Sequence, residues 1–214
     1  MVNKYTANKR LRAEDAYSPN GRHDMRPEMP TIVYTRILKE LYPDVPVVLG
    51  GIEASLRRLS HYDYWQERLR PGILKESGAD VLVYGMGELP MAELCRNIEE
   101  YIMRDSVEDF LTVDALHRML EVHPVPQTVV YVDRHKISRG ISDEDIILHS
   151  YEEALKSPKA QASNFKHIEE ESNRLTPQRI LQQTGDKYMV VNPPYPPMTT
   201  EQIDRSFDFP YTRL

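Results

Sequence analysis

One cysteine, Cys95, is all the thiol chemistry this 214-residue chain has. An internal disulfide is therefore excluded, which suits a reducing cytoplasm. Long apolar runs are missing as well. None approaches the roughly 18 residues of a membrane span, so no membrane partner is expected. The start, Met1-Val2-Asn3-Lys4-Tyr5, lacks the apolar stretch of a secretory signal, and a cytoplasmic location is expected. No P-loop, no Gly-x-Ser-x-Gly elbow and no full G-x-G-x-x-G occurs. The histidines, His117, His123 and His135 among them, do not fall at metal-ligand spacing, so zinc is not expected. A net charge of −6 argues against a general nucleic-acid surface. Only the first 26 residues run against that balance, with Lys4, Lys9, Arg10, Arg12, Arg22 and Arg26 facing Glu14, Asp15 and Asp24; they read as a solvated segment.

What the chain does have is two strand–glycine–helix units. One is Val47-Val48-Leu49-Gly50-Gly51-Ile52-Glu53-Ala54-Ser55-Leu56-Arg57-Arg58, the other Asp80-Val81-Leu82-Val83-Tyr84-Gly85-Met86-Gly87-Glu88. Two such units in succession predict parallel strands with both glycine turns at one edge of a sheet. Open α/β sheets bind ligands at that edge. With 40% hydrophobic residues the chain can build a real core.

Around these units the spacing predicts a helix from Pro30 carrying Val33, Ile37 and Leu41, ended by Pro43. A second helix, about Ile52 to Leu59, is expected to bury Ile52, Leu56 and Leu59. His61-Tyr62-Asp63-Tyr64-Trp65 reads as an aromatic cluster on a loop. The helix that contains Pro90 in its first turn carries Met91, Leu94, Cys95, Ile98 and Ile102 as an apolar stripe, with Cys95 a buried small hydrophobe. Val113 to Leu120 predicts a helix and Thr128 to Val132 a strand. Ser142 to Leu175 reads as helical, divided at Pro158. Arg179–Gln183 and Lys187–Asn192 predict a β-hairpin around Thr184-Gly185-Asp186. Pro193, Pro194, Pro196 and Pro197 make a stiff connector. Thr199 with Gln202 is a capping-box pair opening a last helix.

Several of these blocks together resemble the YgiQ-like radical SAM proteins. They are Met1-Val2-Asn3-Lys4-Tyr5-Thr6-Ala7, Gly50 to Arg58 with His61 to Trp65, Tyr84-Gly85-Met86-Gly87-Glu88, and Asn192-Pro193-Pro194 with Pro197-Met198-Thr199-Thr200-Glu201. The match is spread over the whole chain and is densest before residue 100 and at the C-terminus. The resemblance implies a longer parent in which a Cys-x-x-x-Cys-x-x-Cys motif, beyond the position of Leu214, holds a 4Fe–4S cluster and S-adenosylmethionine. With one cysteine, this chain reads as part of the N-terminal accessory region of an enzyme of unknown substrate, without its cluster-binding core. No cofactor is expected in the chain itself. Cobalamin is not expected either: its Asp-x-His-x-x-Gly pattern is not met by Asp133-Arg134-His135, where the next glycine is Gly140.

The candidate site residues admit more than one use. Gly50 and Gly51 suit either a tight structural turn or an anion cradle; Glu53 in the first helical turn repels phosphate, and Arg57 and Arg58, one turn on, can offset it. Ser55 lies on the same turn. Gly85, Gly87 and Glu88 suit either a helix cap or contact with a ribose or a neighbouring domain. Arg57, Arg58, His61, Tyr62, Tyr64 and Trp65 suit either a stack on a flat ligand, an interface, or a self-satisfied network in which Asp63 pairs one arginine.

The expected fold is therefore α/β, a Rossmann-like parallel sheet with flanking helices, followed by a helical segment and a C-terminal hairpin. Residues 1–140 form a partial Rossmann-like accessory domain, and 141–214 lead toward an absent radical SAM core. The expected task is to cover that core and shape its cavity. An independent nucleotide-like ligand module and a self-associating interaction domain are the alternatives.

Overall fold

The computed structural model of the chain describes residues 4–105 and 111–212. Met1, Val2 and Asn3 of the N-terminal block, and Arg213 and Leu214, lie outside them. The elements are α1 (Pro30–Leu41), β1 (Val48–Leu49), α2 (Gly51–Leu56), β2 (His61–Asp63), β3 (Arg68–Arg70), α3 (Ile73–Ser77), β4 (Val81–Val83), α4 (Glu88–Asp105), α5 (Val113–Val122), β5 (Thr128–Asp133), β6 (Ile146–Leu148), α6 (Tyr151–Lys156), α7 (Pro158–Ser172), β7 (Ile180–Thr184), β8 (Lys187–Val191) and α8 (Thr200–Phe207). Among the described residues no helix is long and apolar enough to cross a membrane.

Six strands form one sheet in the order β1-β4-β5-β8-β7-β6. It is parallel at both ends, β1 with β4 and β6 with β7, and antiparallel through the middle. The α/β class, the flanking helices and the C-terminal hairpin are as expected, and Val48 and Leu49 pair in parallel register with Val81 and Leu82. The β7–β8 turn needs only Gly185 and Asp186, with Gly185 at φ 65, where a two-residue hairpin favours glycine.

Burial on both faces explains why β4 reads as an unbroken apolar run. Leu82 points into a cluster with Ile32, Ala54, Leu59, Ile73, Leu74, Val129, Met189 and Val191, roofed by α1, α2 and α3. Val81 points the other way, into Leu94 of α4, Leu116, Met119 and Leu120 of α5, and Val125 in the segment before β5. The strands of residues 1–140 and 141–214 join directly: β5 pairs with β8 over five residues, from Val129 with Val191 to Asp133 with Lys187.

Several expectations are corrected. The aromatic cluster is not a loop, because His61–Asp63 pairs antiparallel with Arg68–Arg70. β6 interrupts the stretch read as helical; Ser150 and Glu153 then form a capping box that starts α6. The division at Pro158 holds, with Ser157 capping α7. Cys95 is exposed on α4 rather than buried. In α2 the buried residue is Ala54, whereas Ile52 is 80% exposed and Leu56 72%. The basic N-terminal segment is largely exposed, Arg10, Arg12 and Arg22 included, but it is anchored at several points. Lys4 pairs with Asp24 at 2.7 Å, Arg26 grips Asp15 with two hydrogen bonds at 2.7 and 2.8 Å, and Tyr5 packs on Trp65 at 5.1 Å.

Candidate functional site

The C-terminal ends of β1 and β4 form one rim, and a single side chain ties its two turns together. Gly50 is the extended residue before α2, and Gly51 adopts φ 83, a backbone region that favours glycine. Ser55, one turn into α2, donates its hydroxyl to the Gly51 carbonyl at 2.9 Å and accepts the Gly85 N–H at 3.1 Å. Gly85 itself sits at φ 69. Below it, the Gln127 side-chain amide donates to the carbonyls of Tyr84, at 2.7 Å, and Met86. Gln127 was not among the residues singled out from the sequence. Gly87 leads into α4, whose first residue, Glu88, is exposed beside the rim.

Two charged residues of the rim, Glu53 and Arg57, pair with each other. Glu53 accepts from the Thr31 hydroxyl at 2.7 Å and from Arg57 at 2.9 Å. Arg58 donates to the Ser55 carbonyl at 2.6 Å and stacks over the Tyr84 ring at 5.0 Å. Tyr84 in turn donates to the Asn192 carbonyl at 2.6 Å. Burial lowers the pKa of Arg58 and raises that of the Tyr84 phenol, because the interior disfavours both charged forms. Arg57 is thus taken up by Glu53, whereas the buried Arg58 Nε makes no hydrogen bond.

The cluster from His61 to Trp65 is split by strand alternation. Asp63 points inward, where its carboxylate lies 3.5 Å from Arg70 and accepts the Trp65 and Gln66 amides at 2.9 and 3.2 Å. Burial pushes its pKa up, but those two amides and the nearby arginines outweigh it, and the net shift is downward. The arginine pairing Asp63 is therefore Arg70, not Arg57 or Arg58. His61 Nδ1 lies 3.1 Å from the Leu59 carbonyl, and burial holds its pKa below the ordinary imidazole value. Tyr62 and Tyr64 are exposed. Tyr64 and Trp65 meet edge to face at 5.7 Å, and Lys9 lies 4.6 Å over Tyr64. Tyr64 and Trp65 thus hold the N-terminal segment, while Arg57 and Arg58 belong to the rim.

Between them opens a groove of about 960 Å³, lined by Leu56, His61, Tyr62, Leu155 and Phe165 among others. Its lining is mainly apolar and includes Leu56; Ile52, one turn away on α2, and Met86 on the second turn are exposed.

A 4Fe–4S cluster held by three thiolates does not fit this chain, which has one cysteine. Among the described residues no group of three His, Cys, Asp or Glu side chains converges to hold a metal ion.

Comparison with known proteins agrees with the motif blocks. The family described as Radical SAM N-terminal matches residues 1–214. A UPF0313 protein of Bacteroides thetaiotaomicron is 58% identical over 214 residues, covering 100% of this chain and 34% of the relative. A UPF0313 protein of Porphyromonas gingivalis is 56% identical, with 31% of its length covered, and one of Rhodopseudomonas palustris is 36% identical, with 32% covered. The chain thus spans about a third of the length of these relatives. No solved structure matches. Motif, fold and full-length match converge: the chain belongs to the radical SAM N-terminal family.

Proposed function

We propose that the glycine rim is the face with which this chain covers the catalytic portion of a longer radical SAM protein and helps shape its cavity. The observation that carries this reading is the exposed apolar band at the rim. Ile52 and Leu56 lie on one side of α2, with Met86 on the neighbouring turn, and all three are exposed. The rim presents methyl groups, and Arg57 is occupied by Glu53. The radical chemistry would belong to the longer protein, with a 4Fe–4S cluster and S-adenosylmethionine bound outside this chain. Within the chain, Ser55 and Gln127 fix the two turns, and Arg58 on Tyr84 stiffens the base of the rim.

The test uses the full-length protein. After anaerobic cluster reconstitution, cleavage of S-adenosylmethionine to 5′-deoxyadenosine is measured for the wild type and for Ile52→Glu/Met86→Glu. The expected result is turnover in the wild type, with cluster content kept and turnover falling by about tenfold or more in the variant, since misplaced contacts far from the chemistry cost that much. Turnover unchanged in the variant would refute the covering role. A wild type with neither cluster absorbance nor 5′-deoxyadenosine would refute the radical SAM assignment itself.

A further inference from the structure

Arg58 carries a charge that its own chain does not neutralise. Its guanidinium donates to the Ser55 carbonyl at 2.6 Å and lies 5.0 Å over the Tyr84 ring, and both partners are neutral. Its Nε is buried without a hydrogen bond, and among the described residues no carboxylate pairs with it. An arginine keeps its charge at any physiological pH, and burying that charge is costly unless an anion meets it. The nearby acids are engaged elsewhere. Glu53 pairs with Arg57 at 2.9 Å; Glu171 pairs with Arg174 at 2.8 Å and accepts the Gln178 N–H at 2.7 Å.

Two cavities adjoin at this side chain. One is a pocket of about 250 Å³, lined by Arg58, Tyr84, Arg174, Gln178 and Asn192 among others. Tyr84 follows β4 directly, so the pocket lies at the edge of the sheet where open α/β sheets take ligands. The other is the groove of about 960 Å³ between the β2–β3 hairpin and α6 and α7, walled by Leu56, Leu155 and Phe165, each more than half exposed. Arg58 and Ser172 line both. The other charged groups of the groove, Glu67, Arg68 and Glu169, are exposed; Glu67 pairs with Lys9 at 2.5 Å, and Arg68 donates to Gln66 at 2.9 Å.

From these observations we infer that pocket and groove together bind an amphiphilic anion, an acyl-chain carboxylate, with its oxyanion on Arg58 and its chain along Leu56, Leu155 and Phe165. Charge complementarity selects the head, because an unpaired guanidinium offers a carboxylate charge-assisted hydrogen bonds. The walls select the body, because methylenes laid against three exposed apolar side chains leave water. Mostly apolar walls with a few placed polar groups are the make-up of a small-molecule site. His61 supplies a further polar contact in the groove. Its Nδ1 lies 3.1 Å from the Leu59 carbonyl and donates to it, which leaves Nε2, buried and without a partner, as an acceptor for a hydroxyl of the ligand. The inference goes beyond the rim's covering role and does not rest on it.

Calorimetric titration of the full-length protein with decanoate, below its micelle concentration, and with 1-decanol tests it. Decanoate is expected to saturate a single site and to bind about tenfold or more tightly than the uncharged alcohol, since a hydrogen bond to a charged group separates the two. Arg58→Gln should abolish that preference, and Phe165→Ser should weaken decanoate by roughly fivefold. Equal affinity for acid and alcohol overturns the inference, as does decanoate binding that Arg58→Gln leaves unchanged; either shows partition onto an apolar surface only. Unchanged affinity in Phe165→Ser overturns it by placing the ligand outside the groove. Absence of binding overturns it too, because the groove is then filled by the longer polypeptide itself. Should Arg58→Gln fail to fold, the comparison of acid with alcohol and the exposed Phe165→Ser variant still decide.

Discussion

Gly72 lies where the chain passes closest to itself. A Cβ there would meet the Arg58 carbonyl at 2.8 Å, and the neighbouring Ile73 N–H donates to the Arg57 carbonyl at 2.8 Å. Gly72→Ala must push backbone as well as the Met189 methyl, and should cost about 1–3 kcal/mol, measured as a lower urea midpoint at constant slope. Asp145 gives a pH prediction. Burial raises its pKa, but the two hydrogen bonds from Arg179, at 2.8 and 2.7 Å, and the Ser142 amide outweigh it and the net shift is downward. A depressed folded pKa contributes stability that is present above the ordinary carboxylate value of 3.8 and is lost as pH falls through the folded value. Urea midpoints from pH 7 to pH 3 should therefore fall at the acid end, and Asp145→Asn should flatten that fall while lowering stability at pH 7. Neither residue drew attention in the sequence. Pro71-Gly72 signals a turn but not the backbone that lies against it, and Asp145 and Arg179 are far apart along the chain.

At the scale of elements, the same periodic signal served two purposes. Ile52 and Leu56 at four-residue spacing predict a buried face, yet the buried side of α2 is Ala54, and the spaced pair is exposed. Val33, Ile37 and Leu41, exposed on α1, repeat the lesson. Periodicity reports that an apolar stripe exists; it does not say whether this chain or another surface covers it. Leu56→Ser should then change the stability of the chain by no more than about 0.5 kcal/mol, as surface positions do. Gln182→Leu should behave oppositely. Gln182 is fully buried on β7, accepts the Ser60 N–H at 2.9 Å and donates to Ser60 Oγ at 2.7 Å and to the His149 carbonyl at 3.1 Å. Leaving those groups unpaired should cost about 1–3 kcal/mol, read from thermal or urea unfolding. The strands that run into glycine turns, the β7–β8 hairpin and the Thr199 capping box were all legible because local chemistry specifies them. The β2–β3 hairpin was not: its turn, Tyr64 to Glu67, contains no glycine or asparagine, and Glu67 takes φ 53 instead.

For the whole molecule, the glycine turns were expected at one edge, and the Ser55 bridge between them shows that they share it. The order of strands beyond β4 was out of reach, because antiparallel neighbours such as β5 and β8 are chosen by long-range packing. Since β8 joins β5 and the cluster around Leu82 also takes Leu148, Ile180 and Met189, we propose that residues 1–140 and 141–214 unfold together. Far-ultraviolet circular dichroism and the fluorescence of Trp65, the only tryptophan, should report one coincident transition. Two separated transitions would show independent units.

The covering role of the rim is tested most directly by thiol accessibility at position 52. In Ile52→Cys, the rim thiol is mapped by peptide after brief maleimide treatment, once in the 214-residue chain and once in the full-length protein. The account predicts ready labelling in the chain and labelling slower by about 100-fold in the full-length protein, as for a site opened only by local unfolding. Equal labelling in the two would contradict it.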